Sequence, residues 1–356
     1  MNRMHFSLPL VKKPGFWFFL ASLALALAGC ASPLNCSPNC AGVNLSGKNL
    51  QGSNLQGVIF SQANLSRVNL DGANLREADL RGANLQSASL NNANLTGAVL
   101  TGADLRKAHL IGATLDGTDL GAADLTEASL TSVSLTNVNM VGTILKDARL
   151  IGVTLDGTNL NGIDLRGANL TGASLFQSSL EGSKLKGARM RGADLSGAML
   201  NGASMTNADL RGSTMIQATL SGADLFQATL SGVDLTLCTL NGAVLTDADL
   251  SGSRLTSADI RNAYLRGAWI NGAVLIGADL ENAVFADLQD EKFYPAMIGG
   301  VNLLQANLKN TYLAGVTLSG CNLTDTNLSE AVLTDTVQTG GQTRTLEASF
   351  PGSTLP

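Results

Sequence analysis

The sequence predicts an all-β solenoid, in which the chain winds into closed coils that stack on one another. A large apolar residue occupies every fifth position from Leu45 to Phe285, which makes 49 consecutive sites, 41 of them leucine. The residue two positions before each of these is usually small, and it is alanine at 31 of the 49 sites. Aromatic residues make up only 4% of the chain, as expected for a core too narrow to hold rings.

The first residues resemble an export signal. Arg3, Lys12 and Lys13 precede an apolar run over residues 16–27 that is interrupted by one serine. This run is shorter than the roughly 20 apolar residues that a membrane-spanning helix needs. A basic start, an apolar segment and small residues after it are typical of a secretory signal peptide, which we predict for residues 1–29.

Leu27-Ala28-Gly29-Cys30 resembles the lipobox of bacterial lipoproteins. The resemblance implies that Cys30 receives a diacylglycerol, that cleavage occurs before it, and that the new amino group is acylated. We therefore expect an exported protein with a lipid anchor in the cell membrane or the outer membrane, on the periplasmic or extracellular side. The alternative is an ordinary signal peptide with an incidental cysteine.

Residues 30–42 form the expected tether between the lipidated cysteine and the repeats. Cys36 and Cys40 lie within it, separated by Ser-Pro-Asn. A disulfide between them is one possibility, because bridges persist outside the cytoplasm. Free or structural thiols are a second. A metal site is a third, although no His or further Cys lies near enough in sequence to complete four ligands.

A period of five fits neither the α-helix nor a continuous strand, and the residues within each five explain it. In Ala93-Asn94-Leu95-Thr96-Gly97, alternation along an extended segment turns the first and third side chains to the same side. The asparagine and threonine point outward, and the glycine allows a bend at positive φ. Each five therefore predicts a short extended side and a corner, with the main array over residues 43–285.

Repeats such as Ala73-Asn74-Leu75 and Ala193-Asp194-Leu195 resemble the pentapeptide-repeat family. The resemblance implies a right-handed quadrilateral β-helix with four repeats, or twenty residues, in each coil. Twelve coils spaced roughly 4.8 Å apart would give the main rod a length of about 58 Å.

The period shifts its phase after Phe285, and the next large apolar residues are Leu288 and Phe293. We predict an irregular break over residues 286–300 and a second repeat block over 301–333. The break is either a bulged corner in one continuous β-helix or a loop that separates two blocks. Residues 334–356 are rich in Thr, Gly and Ser and are expected to form a loose tail.

Outward positions twenty residues apart are expected to stack, which places Lys146, Arg166 and Lys186 in one basic column. Such a column attracts phosphates, acidic glycans or lipid headgroups, or it is a solvated face without a partner. Aromatic residues do not alternate with these cations, so no nucleic-acid partner is expected.

Tyr264 and Trp269 occupy outward positions on neighbouring sides of one coil, and exposed aromatic residues are good anchors for a protein partner. They form a candidate interaction patch. The alternative is that the irregular segment over residues 289–300 covers them.

The sequence contains few residues of the types that carry out catalysis. The two histidines are His5, in the signal, and His109, so His-based nucleophilic catalysis and a multi-histidine metal site are not expected. Outward carboxylates such as Asp104 and Asp124 follow the repeat pattern. We expect no enzyme activity, no cofactor and no metal, and we expect Cys238 and Cys321 to be small core residues.

Three functions compete. The first is a membrane-anchored, non-enzymatic rod that acts as a structural or protein-interaction scaffold. The second comes from the family resemblance, because some pentapeptide-repeat proteins mimic duplex DNA and bind topoisomerases. The third is a glycan-binding or hydrolytic surface on the outward aspartates. The protein partner and the oligomeric state are left open by the sequence.

Overall fold

The computed structural model describes residues 34–286 and 295–333. Within these ranges no residue belongs to a helix or to a strand longer than one bridge residue. Each five residues supply one parallel bridge and one turn, and nearly every bridge joins residues twenty positions apart, as Asn74 and Asn94 do. The chain is a right-handed quadrilateral β-helix, and the predicted fold class is confirmed.

The coil has four faces, which we number in chain order. Face 1 begins with the bridge residue Asn39, face 2 with Asn44, face 3 with Asn49 and face 4 with Asn54. Each face gains one bridge residue every twenty positions as far as residue 284. A corner of two turn residues joins each face to the next.

Backbone hydrogen bonds hold the coils together and shape their corners. The Leu95 amide donates to the Thr114 carbonyl at 2.8 Å in the following coil, and the Asn94 amide donates to Ala73 at 2.9 Å in the preceding one. The Ala98 amide closes the corner by donating to Leu95 at 2.9 Å, and Gly97 has φ of 67°. Positive φ at the third residue is the type II turn pattern, so the predicted bend is present.

The lumen is filled by the two inward positions of each repeat. Leu95 and its small neighbour Ala93 are both fully buried, and this pairing continues along the rod. The first coil is less closed, since Val43 and Leu45 are partly exposed and Lys48 is exposed. Full burial of the repeating leucines is reached within this first coil, since Leu50 is 6% exposed and Leu55 is fully buried.

The first coil begins earlier than the sequence predicts. Asn39 pairs with Ile59, and Cys40 is only 1% exposed, although the sequence predicts a tether over residues 30–42. A disulfide joins Cys36 to Cys40 at this end of the rod. The disulfide therefore links the segment that enters the rod to a residue of the first coil.

The phase shift is an insertion at one corner. Trp269 pairs with Met297, which is 28 residues later, whereas Met297 pairs with Thr317 after the usual twenty. The other three faces continue in the same way, through Val274 with Asn302, Asp279 with Asn307 and Val284 with Tyr312. Eight additional residues therefore leave the coil between faces 2 and 3, and the bridges of all four faces continue across this insertion.

Regular pairing resumes inside the range 286–300 that the sequence marks as irregular. Met297 is bridged on both sides, and Ala296 and Ile298 are buried. The candidate core residues Leu288 and Phe293 lie outside the described residues.

The ladder is interrupted at two places near the middle of the rod. Among the described residues, no bridge joins Thr114 to Ser134 on face 4 or Asn139 to Asn159 on face 1. A cavity of about 250 Å³ opens at the first interruption. Face 3 keeps every bridge through the same coils, so the coils separate on one side only.

The interruptions coincide with crowding in the small inward slots, although face 2 keeps its bridges beside Thr143 and Ile163. Of the ten slots from residue 118 to residue 163, seven hold β-branched side chains where alanine is the usual occupant: Thr118, Val133, Val138, Thr143, Val153, Thr158 and Ile163. On face 3 the slot is alanine in every coil from Ala88 to Ala268. Added methyl groups in a close-packed core force the backbone to shift, which lengthens the separation between coils.

Candidate functional surfaces

The aromatic patch is present and exposed. Tyr264 lies on face 2 and is 51% exposed, and Trp269 lies on face 3 and is 52% exposed. Val244 and Val284 pair with Tyr264 from the two adjacent coils. The patch therefore combines two aromatic side chains with an apolar column.

A cavity of about 550 Å³ lies beside Trp269. Asp247, Asn271 and Met297 contribute to its walls, and the Asn271 side-chain oxygen accepts a hydrogen bond of 2.8 Å from the Gly299 amide. Residues 295–299 form one wall and leave Trp269 half exposed. The described part of the segment therefore borders the patch and leaves both aromatic side chains about half exposed.

The predicted basic column is stacked as expected. The Asp147 amide donates to the Arg166 carbonyl, and the Gly167 amide donates to the Lys186 carbonyl, so the corners that carry Lys146, Arg166 and Lys186 lie in consecutive coils. All three side chains are exposed.

Arg166 is engaged within its own repeat. Its Nε donates to Asp164 Oδ1 at 2.8 Å and its Nη2 to Asp164 Oδ2 at 2.6 Å. This bidentate hydrogen bonding lowers the pKa of the Asp164 carboxyl, and partial burial opposes the shift. The column is therefore less positive than its three cations suggest.

The same geometry recurs wherever aspartate at the bridge position is followed two residues later by arginine. The pairs are Asp79 with Arg81, Asp104 with Arg106, Asp164 with Arg166, Asp209 with Arg211 and Asp259 with Arg261. A bridge residue and the first corner residue project on the same outer side, so a planar guanidinium reaches both carboxylate oxygens. The sequence signal for these pairs is a triplet of aspartate, leucine or isoleucine, and arginine.

The coil brings further cations to the basic column. Arg149 and Arg189 lie on face 3 beside it, Lys184 lies on face 2, and Arg191 follows at the next corner. We call these residues and the column the basic cluster: Lys146, Arg149, Arg166, Lys184, Lys186, Arg189 and Arg191. Only three of the seven were singled out from the sequence.

The neighbouring outward carboxylates Asp104 and Asp124 are each engaged by another side chain. Asp104 and Asp124 are neighbours on face 2, but Asp104 is held by Arg106, which lowers its pKa, and Asp124 accepts from the Thr126 hydroxyl at 2.6 Å. His109 lies on face 3 between Ser89 and Ser129. Within the described ranges no group of His, Cys, Asp and Glu has the arrangement of a metal site. These ranges also contain no helix that is long and apolar enough to cross a membrane.

The cysteines fall into three classes. Cys36 and Cys40 are joined, and Cys30 lies outside the described residues. Cys238 and Cys321 are buried in small inward slots. Burial raises the pKa of the Cys238 thiol to about 12 and also raises that of Cys321.

Alkylation should separate these classes in the folded protein. Because a thiol with a pKa near 12 carries almost no thiolate at neutral pH, we expect iodoacetamide to label Cys238 and Cys321 only after denaturation. Cys36 and Cys40 should be labelled only after reduction. Peptide mass spectrometry measures each site, and rapid labelling of Cys238 in the native protein would contradict its position in the core.

A model of pentapeptide repeats matches residues 39–256, 258–289 and 299–337. Among solved structures, HetL from the cyanobacterium Nostoc sp. strain PCC 7120, described as involved in heterocyst differentiation regulation, is 28% identical. The match covers 74% of this chain and 95% of HetL, with a TM-score of 0.24. Rfr23 from the cyanobacterium Cyanothece 51142 is 29% identical, with a TM-score of 0.24, and covers 37% of this chain and 93% of its own.

QnrB1, described as a plasmid-mediated fluoroquinolone resistance protein, is 18% identical, with a TM-score of 0.19 over 63% of this chain and 92% of its own. Comparison with curated proteins gave no match. TM-scores this low do not establish similar placement of whole chains, so the assignment rests on the repeat model, which matches most of the sequence. The chain belongs to the pentapeptide-repeat family.

Proposed function

We propose that this protein is a membrane-anchored lipoprotein whose pentapeptide-repeat rod acts as a non-enzymatic scaffold for protein contacts outside the cytoplasm. The observation that carries the proposal is the lipobox-like Leu27–Cys30, placed directly after an apolar run and shortly before the first coil. The disulfide between Cys36 and Cys40 fits an oxidising compartment.

The short tether would hold the rod near the membrane. Asn39, the first bridge residue, follows Cys30 by nine residues, which span about 30 Å at most when fully extended. Each CH₂ of a buried acyl chain contributes about 0.8 kcal/mol, so two or three chains give stable anchoring.

The aromatic patch is an exposed surface that suits a protein partner or the membrane–water interface. Trp269 and Tyr264 are each about half exposed, and a cavity adjoins the indole. Large aromatic side chains in such positions supply most of the binding energy in many interfaces. A mimic of duplex DNA would need a continuous acidic surface, and the basic cluster interrupts the rod near its middle.

Replacing Cys30 by Ala in the full chain tests the anchor. We expect the wild-type protein in the membrane fraction, with an N-terminal peptide that begins at Cys30 and carries the mass of acyl chains. In the Cys30→Ala variant that acylated peptide should be absent. Cys238→Ala is the matched control, because alanine is the usual residue in its slot, and it should be acylated like the wild type.

A mature protein that starts at another residue, or a wild-type protein found in the soluble cytoplasm, would contradict the proposal. Crosslinking of the native protein in its membrane would identify the partner. At least one crosslinked protein is the expected result.

A further inference from the structure

The charges of the middle of the rod are divided unequally between its sides. Between Arg81 and Arg254 the sequence contains ten lysines and arginines, and all of them lie on faces 2 and 3 or on the two corners of face 3. They are Arg106, Lys107, Lys146, Arg149, Arg166, Lys184, Lys186, Arg189, Arg191 and Arg211. We call this the basic side of the rod.

The basic cluster is the densest part of that side. Over residues 146–191 the basic side carries seven cations and two acids, Asp147 and Asp164, a net charge of +5, whereas the opposite side carries only Asp156 and Glu181. The whole chain has a net charge of −5. The cluster therefore contrasts in sign with the chain that bears it.

Most of these cations are available to a partner. Lys146 lies 3.9 Å from Asp147, Arg166 is held by Asp164, and Arg191 lies 3.9 Å from Asp209. The remaining four make no ion pair within the described ranges and are exposed: Arg149, Lys184, Lys186 and Arg189.

The aromatic patch lies on the same side. The ladder of face 3 runs from Arg149 through Arg189 to Trp269 and Met297 without a missing bridge, and the ladder of face 2 joins Lys184 to Tyr264. Arg189 and Trp269 are four coils apart, or about 19 Å at the usual strand spacing. Lysine and arginine together with exposed Trp and Tyr on one side are typical of surfaces that contact the membrane–water interface.

We propose that the basic side docks on an anionic lipid surface, with the long axis of the rod parallel to the membrane. The proposal rests on the lipid anchor proposed above, which would hold the rod at the membrane and raise the local concentration of headgroups. The cations project from a corner and the two faces beside it, a convex arrangement that fits a broad charged surface. Each cation near such a surface improves binding roughly fivefold.

Two observations refine the geometry. Asp224, Asp247 and Asp249 lie between the cluster and Trp269 on the same side, and their charges oppose contact there. The contact therefore has two zones, one of cations around Lys184 and one of aromatic side chains around Trp269. Aromatic residues do not alternate with the cations within the cluster, which disfavours single-stranded nucleic acid as the partner.

Trp269 reports on the contact. The sequence has two tryptophans, and the other, Trp17, lies in the predicted signal peptide. The purified mature protein would be reconstituted through its anchor into vesicles of phosphatidylcholine alone or with about one third phosphatidylglycerol, an anionic lipid. We expect a blue shift of the Trp269 emission, and quenching by brominated acyl chains, only on the anionic vesicles and only at low salt.

Charge reversal tests the cluster. The triple variant Lys184→Glu, Lys186→Glu and Arg189→Glu should weaken the contact at least about a hundredfold and abolish the shift. Arg76→Glu, Arg254→Glu and Lys309→Glu make the same change in net charge outside the basic side and should leave the shift intact. Circular dichroism would verify that both variants remain folded.

Flotation with the vesicles tests the lipid anchor independently of the docking proposal. A protein that floats with neutral vesicles is anchored, whatever its tryptophan shows, and one that does not float contradicts the proposed function. Identical tryptophan emission on neutral and anionic vesicles would overturn the docking proposal. The docking proposal would also be overturned if the Trp269 emission responded to a soluble acidic polysaccharide but not to vesicles, and if the triple variant abolished that response.

Discussion

Leu235→Ala is expected to destabilise the rod by about 2–5 kcal/mol, whereas Leu237→Ala, two residues away, should change its stability little. Leu235 is fully buried in the lumen, and Leu237 is 51% exposed at a corner. Truncation of Leu235 removes a packed side chain and leaves a cavity that the rigid coils cannot collapse. Truncation at Leu237 removes a side chain that already contacts water. Chemical denaturation of both variants measures the difference.

Leu237→Gly is expected to change the stability of the rod in the opposite direction. Leu237 has φ of 58°, in a region where an L-residue with a side chain is strained by about 1–2 kcal/mol. Glycine relieves that strain, and its greater freedom in the unfolded chain offsets part of the gain. We expect a net stabilisation of up to about 1 kcal/mol. Equal losses at Leu235 and Leu237 would show that the assignment of inward and outward positions is wrong.

The stability lost in Leu235→Ala need not affect the whole chain. In a solenoid each coil contacts only its neighbours, so unfolding can be local. Hydrogen exchange around residue 235, measured beside the denaturation curve, would show whether the cost of the Leu235 cavity is confined to adjacent coils.

The core could be predicted because one rule is repeated many times. A large residue such as Leu95, a small one such as Ala93 and a turn residue such as Gly97 each occupy the same environment in every repeat. A single misread residue therefore leaves the pattern intact. The repeat pattern does not show which outward side chains form a functional surface, since the residue at position 94 says nothing about its neighbours on other faces.

Features that depend on neighbouring coils were harder to predict. Arg149 and Arg189 are 40 residues apart in sequence, yet one bridge residue, Asn169, separates them on face 3. The length of the insertion after Phe285 was ambiguous, because a gain of eight residues and a loss of two shift a period of five equally. Pairing of Trp269 with Met297 resolves that ambiguity.

Crowding of the inward slots also had a sequence signal that was overlooked. Valine and threonine fit the small slot singly, as Val68 and Val233 do beside intact bridges. Their concentration between residues 118 and 163 becomes visible only when the sequence is written twenty residues to a line. The consequence, loss of bridges on faces 4 and 1, depends on how several coils share the added volume.

Backbone amides at the two interruptions are expected to exchange with solvent at least about ten times faster than their equivalents in regular coils. The amides of Leu115 and Met140 lack the acceptors in the next coil that Leu95 and Leu200 have at 2.8 Å and 2.6 Å. A hydrogen bond of this kind contributes about 1 kcal/mol, and several are missing together. Hydrogen exchange resolved by NMR or by peptide mass spectrometry measures the difference.

Substitution of the crowding residues should slow the exchange of the backbone amides at the two interruptions. In the triple variant Val133→Ala, Val138→Ala and Thr158→Ala the coils can close, and exchange at Leu115 and Met140 should slow towards that of regular coils. The Thr158 hydroxyl is buried without a hydrogen-bond partner, so its removal also relieves an unsatisfied polar group. We expect this variant to be more stable than the wild type.

The reciprocal variant places the same crowding three coils further along the rod. Ala193, Ala198 and Ala218 occupy the slots 60 residues after Val133, Val138 and Thr158, and the bridges beside them are intact. Ala193→Val, Ala198→Val and Ala218→Thr should therefore accelerate exchange at Leu175 and Leu200. If only the first variant changed exchange, slot volume would be necessary for the opening but insufficient to cause it. If neither did, the outward residues would have to hold the coils apart.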